Sequence, residues 1–260
     1  VERLLESLAR RGAEIVEADG WQKHRESDPI RRAALSALPQ ARTSRTASLL
    51  LRQGDGVLRQ AVEHLCNLLK VGRLDEAEAL TERLLSNARI GRRLTSPFDV
   101  VLAGPPNVGK SSLINALVGY DRAIVHDQPG TTRDAVSVET ALDGWPVMLS
   151  DTAGLRDAQN EVEGMGVDIA VRRLAQADLK ILAFDATDAD SQQTLSALPP
   201  ILQKDALLIY NKVDLADAVR ECSDNAVQYT SAASGEGLKE LVKRIVARLV
   251  PDTLGEDEPI

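Results

Sequence analysis

Hydrophobic residues recur every three or four positions along residues 1–97, a spacing that predicts a series of amphipathic helices. Each predicted helix carries one apolar stripe, and glycine, proline or an Asp-Gly pair separates it from the next. The stripes are Leu4, Leu5 and Leu8; Ala33, Ala34, Leu35 and Leu38; Val57, Leu58, Val62, Leu65 and Leu69; and Leu74, Ala77, Leu80 and Leu84. We therefore expect this region to be all-helical.

From residue 98 onward the pattern changes to short apolar runs that alternate with amphipathic stretches. This alternation is typical of a mostly parallel, doubly wound α/β sheet. Asp143-Gly144 predicts one antiparallel hairpin between the second and third strands. The predicted strands are 99–103, 136–142, 147–151, 179–185, 206–210 and 226–229.

The Thr-Ser-Pro sequence at residues 95–97 is the predicted boundary between the two regions. It gives a helical domain over 1–97, an α/β domain over 98–250 and an acidic tail over 251–260. The net charge of −8 is unevenly distributed, because residues 1–97 carry 17 Lys and Arg against 13 Asp and Glu, whereas the rest carries 14 against 26. An acidic α/β domain repels nucleic acid, so an RNA would contact the helical domain.

Arginines of the helical domain are the candidates for such an RNA contact. The alternative is a solvated helix face, and we favour it because no aromatic residues are interleaved for base stacking. The candidates are Arg31, Arg32, Arg42, Arg45, Arg52 and Arg59.

The overall composition favours a soluble, cytoplasmic protein that does not associate with membranes. No apolar run approaches the roughly 20 residues of a spanning helix, and the start of the chain is too charged for a signal peptide. Cys66 and Cys222 are interpreted as ordinary thiols. Because the chain begins with Val1 rather than Met, we expect it to be a piece of a longer protein.

A glycine-rich motif joins the first predicted strand to a helix. Residues 104–112 read Gly-Pro-Pro-Asn-Val-Gly-Lys-Ser-Ser, which matches the Gly-x-x-x-x-Gly-Lys-Ser pattern of a phosphate-binding loop, or P-loop. Its glycines let backbone N–H groups converge on a phosphate at the positive end of the helix dipole. Lys110 is predicted to neutralise the β- and γ-phosphate oxygens. The predicted nucleotide contacts in this loop are Gly104, Asn107, Val108, Gly109, Lys110, Ser111 and Ser112.

Four further motifs follow in the order that a GTPase requires. They are Thr131-Thr132-Arg133-Asp134, Asp151-Thr152-Ala153-Gly154, Asn211-Lys212-Val213-Asp214 and Ser231-Ala232-Ala233. The last three motifs lie at the ends of predicted strands, and the carboxyl ends of parallel strands are where such sheets bind ligands. Five chance matches in this order are not a serious alternative, so the sequence predicts an α/β P-loop GTPase domain.

The predicted chemistry is phosphoryl transfer to water, in which the protein mainly positions the nucleotide and neutralises charge. Ser111 and Thr132 are expected to give hydroxyl oxygens to Mg²⁺, and Asp151 to contact it through water. The Gly154 N–H is expected to meet the γ-phosphate. Because Thr132 and Gly154 sit on loops that the γ-phosphate can hold, the site is predicted to act as a switch as well as a catalyst.

The choice of base is assigned to Asn211 and Asp214. A carboxylate at Asp214 can accept two hydrogen bonds from guanine, whereas adenine would leave it unpaired at a loss of roughly 1.5–3 kcal/mol per charged hydrogen bond. GTP is therefore expected over ATP. Read alone, Asn-Lys-x-Asp is also compatible with a plain turn after a strand.

The residue after the Asp-x-x-Gly glycine is Leu155, where many GTPases place a glutamine that orients the attacking water. An apolar side chain cannot do this. Glu163 is the nearest reasonable carboxylate in the sequence. From its position alone, Glu163 is better interpreted as a glutamate favoured by the positive end of a helix.

The sequence across residues 98–249 resembles the TrmE/Era group of bacterial GTPases. The resemblance rests on residues 104–112, on Ala-Ile-Val-His-Asp-Gln-Pro-Gly-Thr-Thr-Arg-Asp at 123–134 and on Asp-Thr-Ala-Gly-Leu-Arg at 151–156. Within the group, residues 155–166 look most like the MnmE (TrmE) family of tRNA-modification GTPases. Residues 46–65 are similar to the helical domain that precedes this family's G domain.

The resemblance implies K⁺-stimulated GTP hydrolysis with G domains that pair across the nucleotide as a homodimer. It implies that Asn107 binds K⁺ through its side chain, that Thr131 is a further ligand and that His126 and Gln128 offer backbone carbonyls. His126 stands where the family usually has Thr or Ser. Glu163 matches the family's catalytic glutamate, which favours the catalytic interpretation of this residue.

The resemblance further implies a partner similar to MnmG and an aminomethyl-type modification of the wobble uridine in certain tRNAs. The family's folate-binding N-terminal domain and its C-terminal Cys-x-Gly-Lys end are not found in this sequence, and residues 17–22 replace its Pro-Gly-Glu-Phe-type segment. We therefore expect either a shortened chain or a diverged paralogue. The alternatives are a ribosome-assembly GTPase similar to Era or Der and a non-catalytic scaffold whose shape depends on GTP.

Overall fold

The protein is described by a computed structural model. The described residues are 2–14, 16, 26–120, 137–151, 174–198, 200–216, 227–251, 254, 255 and 258–260. Among the described residues, the first part of the chain contains five α-helices, followed by a short 3₁₀ turn at Arg92–Leu94. The five are α1 (Glu2–Ala9), α2 (Pro29–Ala37), α3 (Ser44–Gly54), α4 (Val57–Lys70) and α5 (Leu74–Gly91).

Local capping explains where two of these helices begin. The Asp28 carboxylate accepts a hydrogen bond from the Ile30 N–H at 2.9 Å, and Pro29 supplies a first helical position that needs no N–H donor. At α3, Thr43 and Thr46 cap each other reciprocally. The Thr43 hydroxyl also donates to the Gly144 carbonyl at 2.7 Å, so the start of α3 is fixed to the second part of the chain.

The apolar stripe predicted for α4 is partly wrong. Leu69 is 54% exposed and Val62 is 38% exposed, whereas their neighbour Leu68 is buried. Of the residues of this helix, Leu68 alone is fully buried, because α4 lies at the edge of the helical region and packs mainly against α5. Helical spacing identifies a face, but the partner element decides how much of that face is covered.

Six strands form one sheet among the described residues, in the order β2-β3-β1-β4-β5-β6. Every neighbouring pair is parallel except β2 and β3. The predicted mostly parallel α/β fold, preceded by a helical region, is therefore confirmed. The strands are β1 (Phe98–Ala103), β2 (Ser137–Leu142), β3 (Trp145–Asp151), β4 (Leu179–Asp185), β5 (Leu207–Asn211) and β6 (Val227–Tyr229).

The antiparallel hairpin turns at Asp143-Gly144 as the sequence predicted. Both residues have positive φ, at 49° and 76°, which is the conformation of a two-residue type I′ turn. β3 begins at Trp145, two residues earlier than predicted, because Trp145 pairs with Leu142 across this tight turn. β5 extends one residue further than predicted, since Asn211 pairs with Asp185 of β4.

The helices described after β1 are α6 (Lys110–Tyr120), α7 (Ser191–Ala197) and α8 (Pro200–Gln203), which lie between strands, and α9 (Leu238–Leu249), which follows β6. α6 and α9 cover one face of the sheet, in a core that includes Leu113 and Leu241. Leu49 and Ile90 of the helical region belong to this same core. The helical region and the sheet are therefore packed together through shared apolar contacts.

The joint between the helical region and the sheet lies at the amino ends of β1 and β4. The Arg93 guanidinium pairs with the Asp178 carboxylate at 2.6 Å and donates to the Pro97 carbonyl at 2.8 Å. The second carboxylate oxygen of Asp178 accepts the Asp99 N–H at 2.7 Å. One carboxylate thus connects the end of the helical region to both central strands, at the edge opposite the predicted nucleotide site.

The last described residues return to the helical region. Gln53 donates to the Glu258 carbonyl at 3.0 Å, and Asn87 donates to the Pro259 carbonyl at 2.9 Å. Both side chains are buried, and Pro259 is buried with them. The stretch 251–260, interpreted from its sequence as an acidic tail, therefore ends in contact with α3 and α5. Among the described helices, none has the length and apolar character needed to cross a membrane.

Candidate nucleotide-binding site

The described parts of the predicted nucleotide motifs lie at the carboxyl edge of the sheet. The glycine-rich loop follows β1, Asp151 ends β3, Asn211 ends β5, and the Ser-Ala-Ala motif follows β6. Because β1, β3, β4, β5 and β6 run in parallel, all of these ends lie on one side. The fold therefore brings together residues that are more than a hundred positions apart in sequence.

The phosphate-binding loop requires glycine at two of its positions. Gly104 has φ +149°, and a Cβ placed there would overlap the carbonyl oxygen of Ala183 in β4. Gly109 has φ +88°, and its Cβ would lie 2.5 Å from the Asn211 side-chain nitrogen. At the tip between them, Asn107 is exposed and adopts a left-handed φ of 64°. The loop backbone is thus pressed against two neighbouring strands at its ends.

Lys110 begins α6 and is buried inside this loop. Its ammonium group donates to the carbonyls of Gly104 at 3.1 Å and Pro105 at 2.8 Å. A lysine has three donors and a flexible stem, so the same group can turn toward phosphate oxygens placed in the loop. Lys110 therefore lies inside the loop, and its contact with phosphate oxygens stays a prediction.

Ser111 and Asp151, the two predicted Mg²⁺ contacts in the described part of the chain, lie side by side. The Ser111 hydroxyl donates to the Asp151 carboxylate at 3.0 Å, and Asp151 is buried at the end of β3. Hydroxyl and carboxylate oxygens are the hard ligands that Mg²⁺ prefers. The donor set at this point of the loop therefore fits the ion. Ser112, the next residue of α6, is exposed beside it.

Asn211, at the end of β5, connects two loops through one buried side chain. Its amide nitrogen donates to the Val108 carbonyl of the phosphate loop at 2.9 Å. Its amide oxygen accepts the Ala232 N–H at 3.1 Å and the Thr230 hydroxyl at 3.4 Å. The sequence had assigned Asn211 to base choice together with Asp214. In the structure, both the nitrogen and the oxygen of its amide bond to the protein, so Asn211 holds the phosphate loop and the loop after β6 together.

Lys212 also reaches the phosphate loop. Its ammonium group donates to the Asn107 carbonyl at 2.6 Å and pairs with the Asp185 carboxylate at 2.7 Å. Asp185 was not identified from the sequence, although its place at the end of β4, opposite Asn211 in β5, could have drawn attention to it.

The environment of Asp185 favours its charged form. Partial burial acts to raise the pKa of its carboxyl, but the hydrogen bonds from Lys212 and Thr187 outweigh this and lower the pKa below the ordinary 3.8. A group with a lowered folded-state pKa stabilises the fold above its unfolded pKa. The contribution of Asp185 is therefore present at neutral pH and is lost in acid, as the pH falls below 3.8 through the lower folded-state value.

The carboxylate predicted to read the base is exposed. Asp214 lies in a single 3₁₀ turn, Val213–Leu215, directly after Lys212. The facing loop is held in shape by Ser231, whose N–H donates to the Glu236 carbonyl at 2.9 Å and whose hydroxyl accepts the Ser234 N–H at 3.0 Å. Ala232 is tied to Asn211, and Ala233 is exposed. An exposed carboxylate beside an ordered loop is open to a planar base.

Several predicted site residues lie outside the described residues. They are His126, Gln128, Thr131, Thr132, Gly154 and Glu163.

The arginine candidates for RNA are mostly engaged with acidic neighbours. Arg31 pairs with Glu26, Arg42 with Glu139, Arg45 with Asp143, and Arg59 with Asp28. Arg32 donates to the Glu26 carbonyl. Local pairing of this kind is typical of a solvated helix face, the alternative favoured from the sequence.

Comparison with known proteins agrees with this geometry. Residues 99–212 match the family described as 50S ribosome-binding GTPase. The tRNA modification GTPase MnmE of Carboxydothermus hydrogenoformans is 33% identical, over 99% of this chain and 64% of that protein. MnmE of Magnetococcus marinus is 31% identical, over 96% of this chain and 60% of that protein. MnmE of Maricaulis maris is 45% identical, over 67% of this chain and 38% of that protein.

Among solved structures, the G domain of the FeoB iron transporter of T. maritima is 31% identical, over 59% of this chain and 99% of that one, with a TM-score of 0.43. Era of Aquifex aeolicus bound to GDP and AlF4⁻ is 27% identical, over 61% of this chain and 60% of that one, with a TM-score of 0.43. The chain spans about three fifths of the length of the first two curated relatives.

The parallel sheet, the Gly-Lys-Ser loop and the Asn-Lys-x-Asp motif beside it define a P-loop GTPase. The similarity to the curated relatives continues beyond this domain into the helical region. The chain belongs to the MnmE (TrmE) family, within the TrmE/Era group of P-loop GTPases.

Proposed function

We propose that this chain binds GTP at the carboxyl edge of the sheet and hydrolyses it with the help of Mg²⁺. The observation that carries the proposal is the Asn211 amide, which joins the phosphate loop to the loop after β6. This single side chain sets the distance between the place of the phosphates and the place of the base. A nucleotide of fixed length is the ligand that such a fixed spacing suits.

The base is read by Asp214. Guanine presents two N–H donors to this carboxylate, whereas adenine presents none in the same position, so adenine would desolvate a charge without pairing it. The side chains of Asn211 and Lys212 already donate hydrogen bonds to carbonyls of the phosphate loop. Asp214 therefore remains as the residue that selects the base.

The phosphates lie in the loop between β1 and α6. Lys110 releases its bonds to the loop carbonyls and turns its charge toward the β- and γ-phosphate oxygens. Ser111 and Thr132 would hold Mg²⁺ directly and Asp151 would hold it through water, while the Gly154 N–H meets the γ-phosphate. When bound by these residues, Mg²⁺ would supply positive charge to the phosphate oxygens during transfer.

K⁺ stimulation and pairing of G domains form a second part of the proposal. Asn107 offers an exposed amide at the tip of the phosphate loop, with its main chain already in a left-handed conformation. His126, Gln128 and Thr131 would complete the ligand set, with backbone carbonyls from the first two. A monovalent cation at the phosphates adds positive charge where the transition state needs it.

GTP hydrolysis measured in K⁺ and in Na⁺, at several protein concentrations, tests this proposal. We expect a K⁺-specific rise in turnover per protomer that grows with protein concentration, because two G domains must pair. The Asn107→Ala variant should bind GTP but lose the difference between the two salts. Equal and negligible rates in both salts, with GTP still bound, would support a non-catalytic scaffold instead.

Glu163 is proposed to orient the attacking water, since Leu155 cannot. We expect Glu163→Ala to retain GTP affinity and to lower kcat at least tenfold, because general-base and water-positioning groups typically contribute factors of about 10²–10⁴. Single-turnover hydrolysis of bound GTP measures this directly. Glu161→Ala is the matched control and should hydrolyse GTP at the unaltered rate. Wild-type turnover in Glu163→Ala would remove Glu163 from the mechanism.

For the biological substrate we propose the wobble uridine of certain tRNAs, modified in the cytoplasm together with a partner similar to MnmG. What supports this is the similarity to proteins named tRNA modification GTPase MnmE, which includes the helical region. Nucleoside mass spectrometry of tRNA from cells that lack this protein should show unmodified wobble uridines, restored by the natural full-length protein but not by its Glu163→Ala form.

A role in ribosome assembly is the second candidate function. It is favoured by the description of the family that matches residues 99–212, a 50S ribosome-binding GTPase. Sedimentation of ribosomes from the same cells separates the two candidates. Accumulated subunit precursors with fully modified tRNA would favour ribosome assembly, whereas normal ribosomes with unmodified tRNA would favour the first proposal.

A further inference from the structure

The carboxylate of Asp185 has a separate partner for each oxygen. One oxygen accepts the N–H and the hydroxyl of Thr187, at 2.9 and 2.7 Å, and so belongs to the local turn after β4. The other accepts the Lys212 ammonium at 2.7 Å. Because Thr187 already fixes the carboxylate, the second oxygen presents a charge whose position does not depend on Lys212.

Lys212 carries this interaction to the phosphate loop. Its ammonium group lies between the Asp185 carboxylate and the Asn107 carbonyl, 2.7 and 2.6 Å from them. The side chains of Asp185 and Lys212 are 17% and 31% exposed, so water screens the pair only in part. A long lysine stem loses rotamer freedom in such a bridge, and the paired charge offsets this loss.

The loop conformation at Asn107 is supported from outside the loop. A non-glycine residue at φ 64° is in a region that L-residues occupy at a cost, and Asn107 is exposed at the tip. The hydrogen bond from Lys212 to its carbonyl is the contact that holds this peptide from the side of β5. Without the Asp185 charge, the ammonium would be free to leave the carbonyl for water.

We propose that Asp185 is a positioning residue for guanine-nucleotide binding, which acts through Lys212 to hold the phosphate loop at Asn107. This inference rests on the proposed function and adds a residue that lies outside the recognised nucleotide motifs. Asp185 touches neither the base nor the phosphates in this role. It sets how long the loop keeps the shape that retains the nucleotide.

The test compares nucleotide release from Asp185→Asn with release from Asp178→Asn. Asp178 is the matched control, because it precedes the same strand, pairs with an arginine and supports the fold at the opposite edge. We expect Asp185→Asn to speed the release of fluorescent mant-GDP about tenfold, which corresponds to about 1.4 kcal/mol. Asp178→Asn should lower the unfolding midpoint but release mant-GDP within about twofold of the wild-type rate.

Two further variants separate the two oxygens of Asp185. Thr187→Val removes one donor from the oxygen that faces the turn, and it should leave release near the wild-type rate. Lys212→Gln should speed release, and adding Asp185→Asn to it should have little further effect, because both act on one bridge.

The outcomes distinguish this inference from the proposed function. If the wild-type protein does not bind mant-GDP, the proposed function itself fails. If it binds and Asp185→Asn releases at the wild-type rate, the positioning role alone is overturned. Equal acceleration in Asp178→Asn, or independent effects of Asp185 and Lys212, would also overturn it, since the loss would then reflect general destabilisation.

Discussion

Replacing Gly104 by alanine is expected to abolish nucleotide binding and to destabilise the fold. The new Cβ would overlap the Ala183 carbonyl oxygen in the central strand β4, and alanine would also have to adopt a φ of +149°. Ala183 cannot move away, because it is part of the buried sheet. Overlap in a core combined with a strained φ costs on the order of 3 kcal/mol or more.

Urea unfolding and mant-GDP titration measure the two effects of Gly104→Ala. Gly119→Ala is the matched control in α6, where an added Cβ meets nothing within 4 Å. This control should bind nucleotide normally and gain up to about 1 kcal/mol, since alanine favours a helix over glycine. A Gly104→Ala protein that is as stable as the control and binds nucleotide equally well would contradict the close approach of the loop to β4.

Replacing Asp214 by asparagine is expected to change the preferred base from guanine to xanthine. In its proposed role the Asp214 carboxylate accepts two hydrogen bonds from guanine, and an amide cannot accept both. Loss of such charge-assisted hydrogen bonds, at roughly 1.5–3 kcal/mol each, predicts a fall in GTP affinity of about a hundredfold. Xanthine carries a carbonyl where guanine carries its amino group, so the amide of the variant can donate to it.

Competition of GTP, xanthosine triphosphate and ATP against mant-GDP measures this change. Asp75→Asn, in the first turn of α5, removes the same negative charge at a position outside the site. This control should leave all three affinities unchanged. Unchanged GTP affinity in the Asp214→Asn variant would show that another residue reads the base. A gain in affinity for ATP alone would contradict the assignment of guanine as the base that Asp214 recognises.

The order of helices and strands was largely readable from the sequence. Both depend on residues that are close in the chain, because a 3.6-residue or two-residue period follows from local backbone geometry. The turn at Asp143-Gly144 is local for the same reason, and it was predicted correctly. Strand ends were displaced by one or two residues, since pairing with a neighbouring strand decides where β3 begins and β5 ends.

The chemistry of the phosphate loop was also determined by the sequence. The positions of Gly104, Gly109, Lys110 and Ser111 follow from their spacing, because loop and helix are contiguous. The sequence assigned Ser111 and Asp151 to one Mg²⁺ ion, which stays a prediction, and the structure shows their side chains in contact across 40 positions.

The tertiary structure alone decided which residues hold the motifs in place. Asn211 meets the Val108 carbonyl across 103 positions, and Lys212 meets Asn107 across 105. Asp185 joins them only because β4 and β5 are neighbours in the sheet, in a register that places it opposite Asn211. Strand order and register are set by burial of the whole core, so a short sequence motif carries no information about these partners.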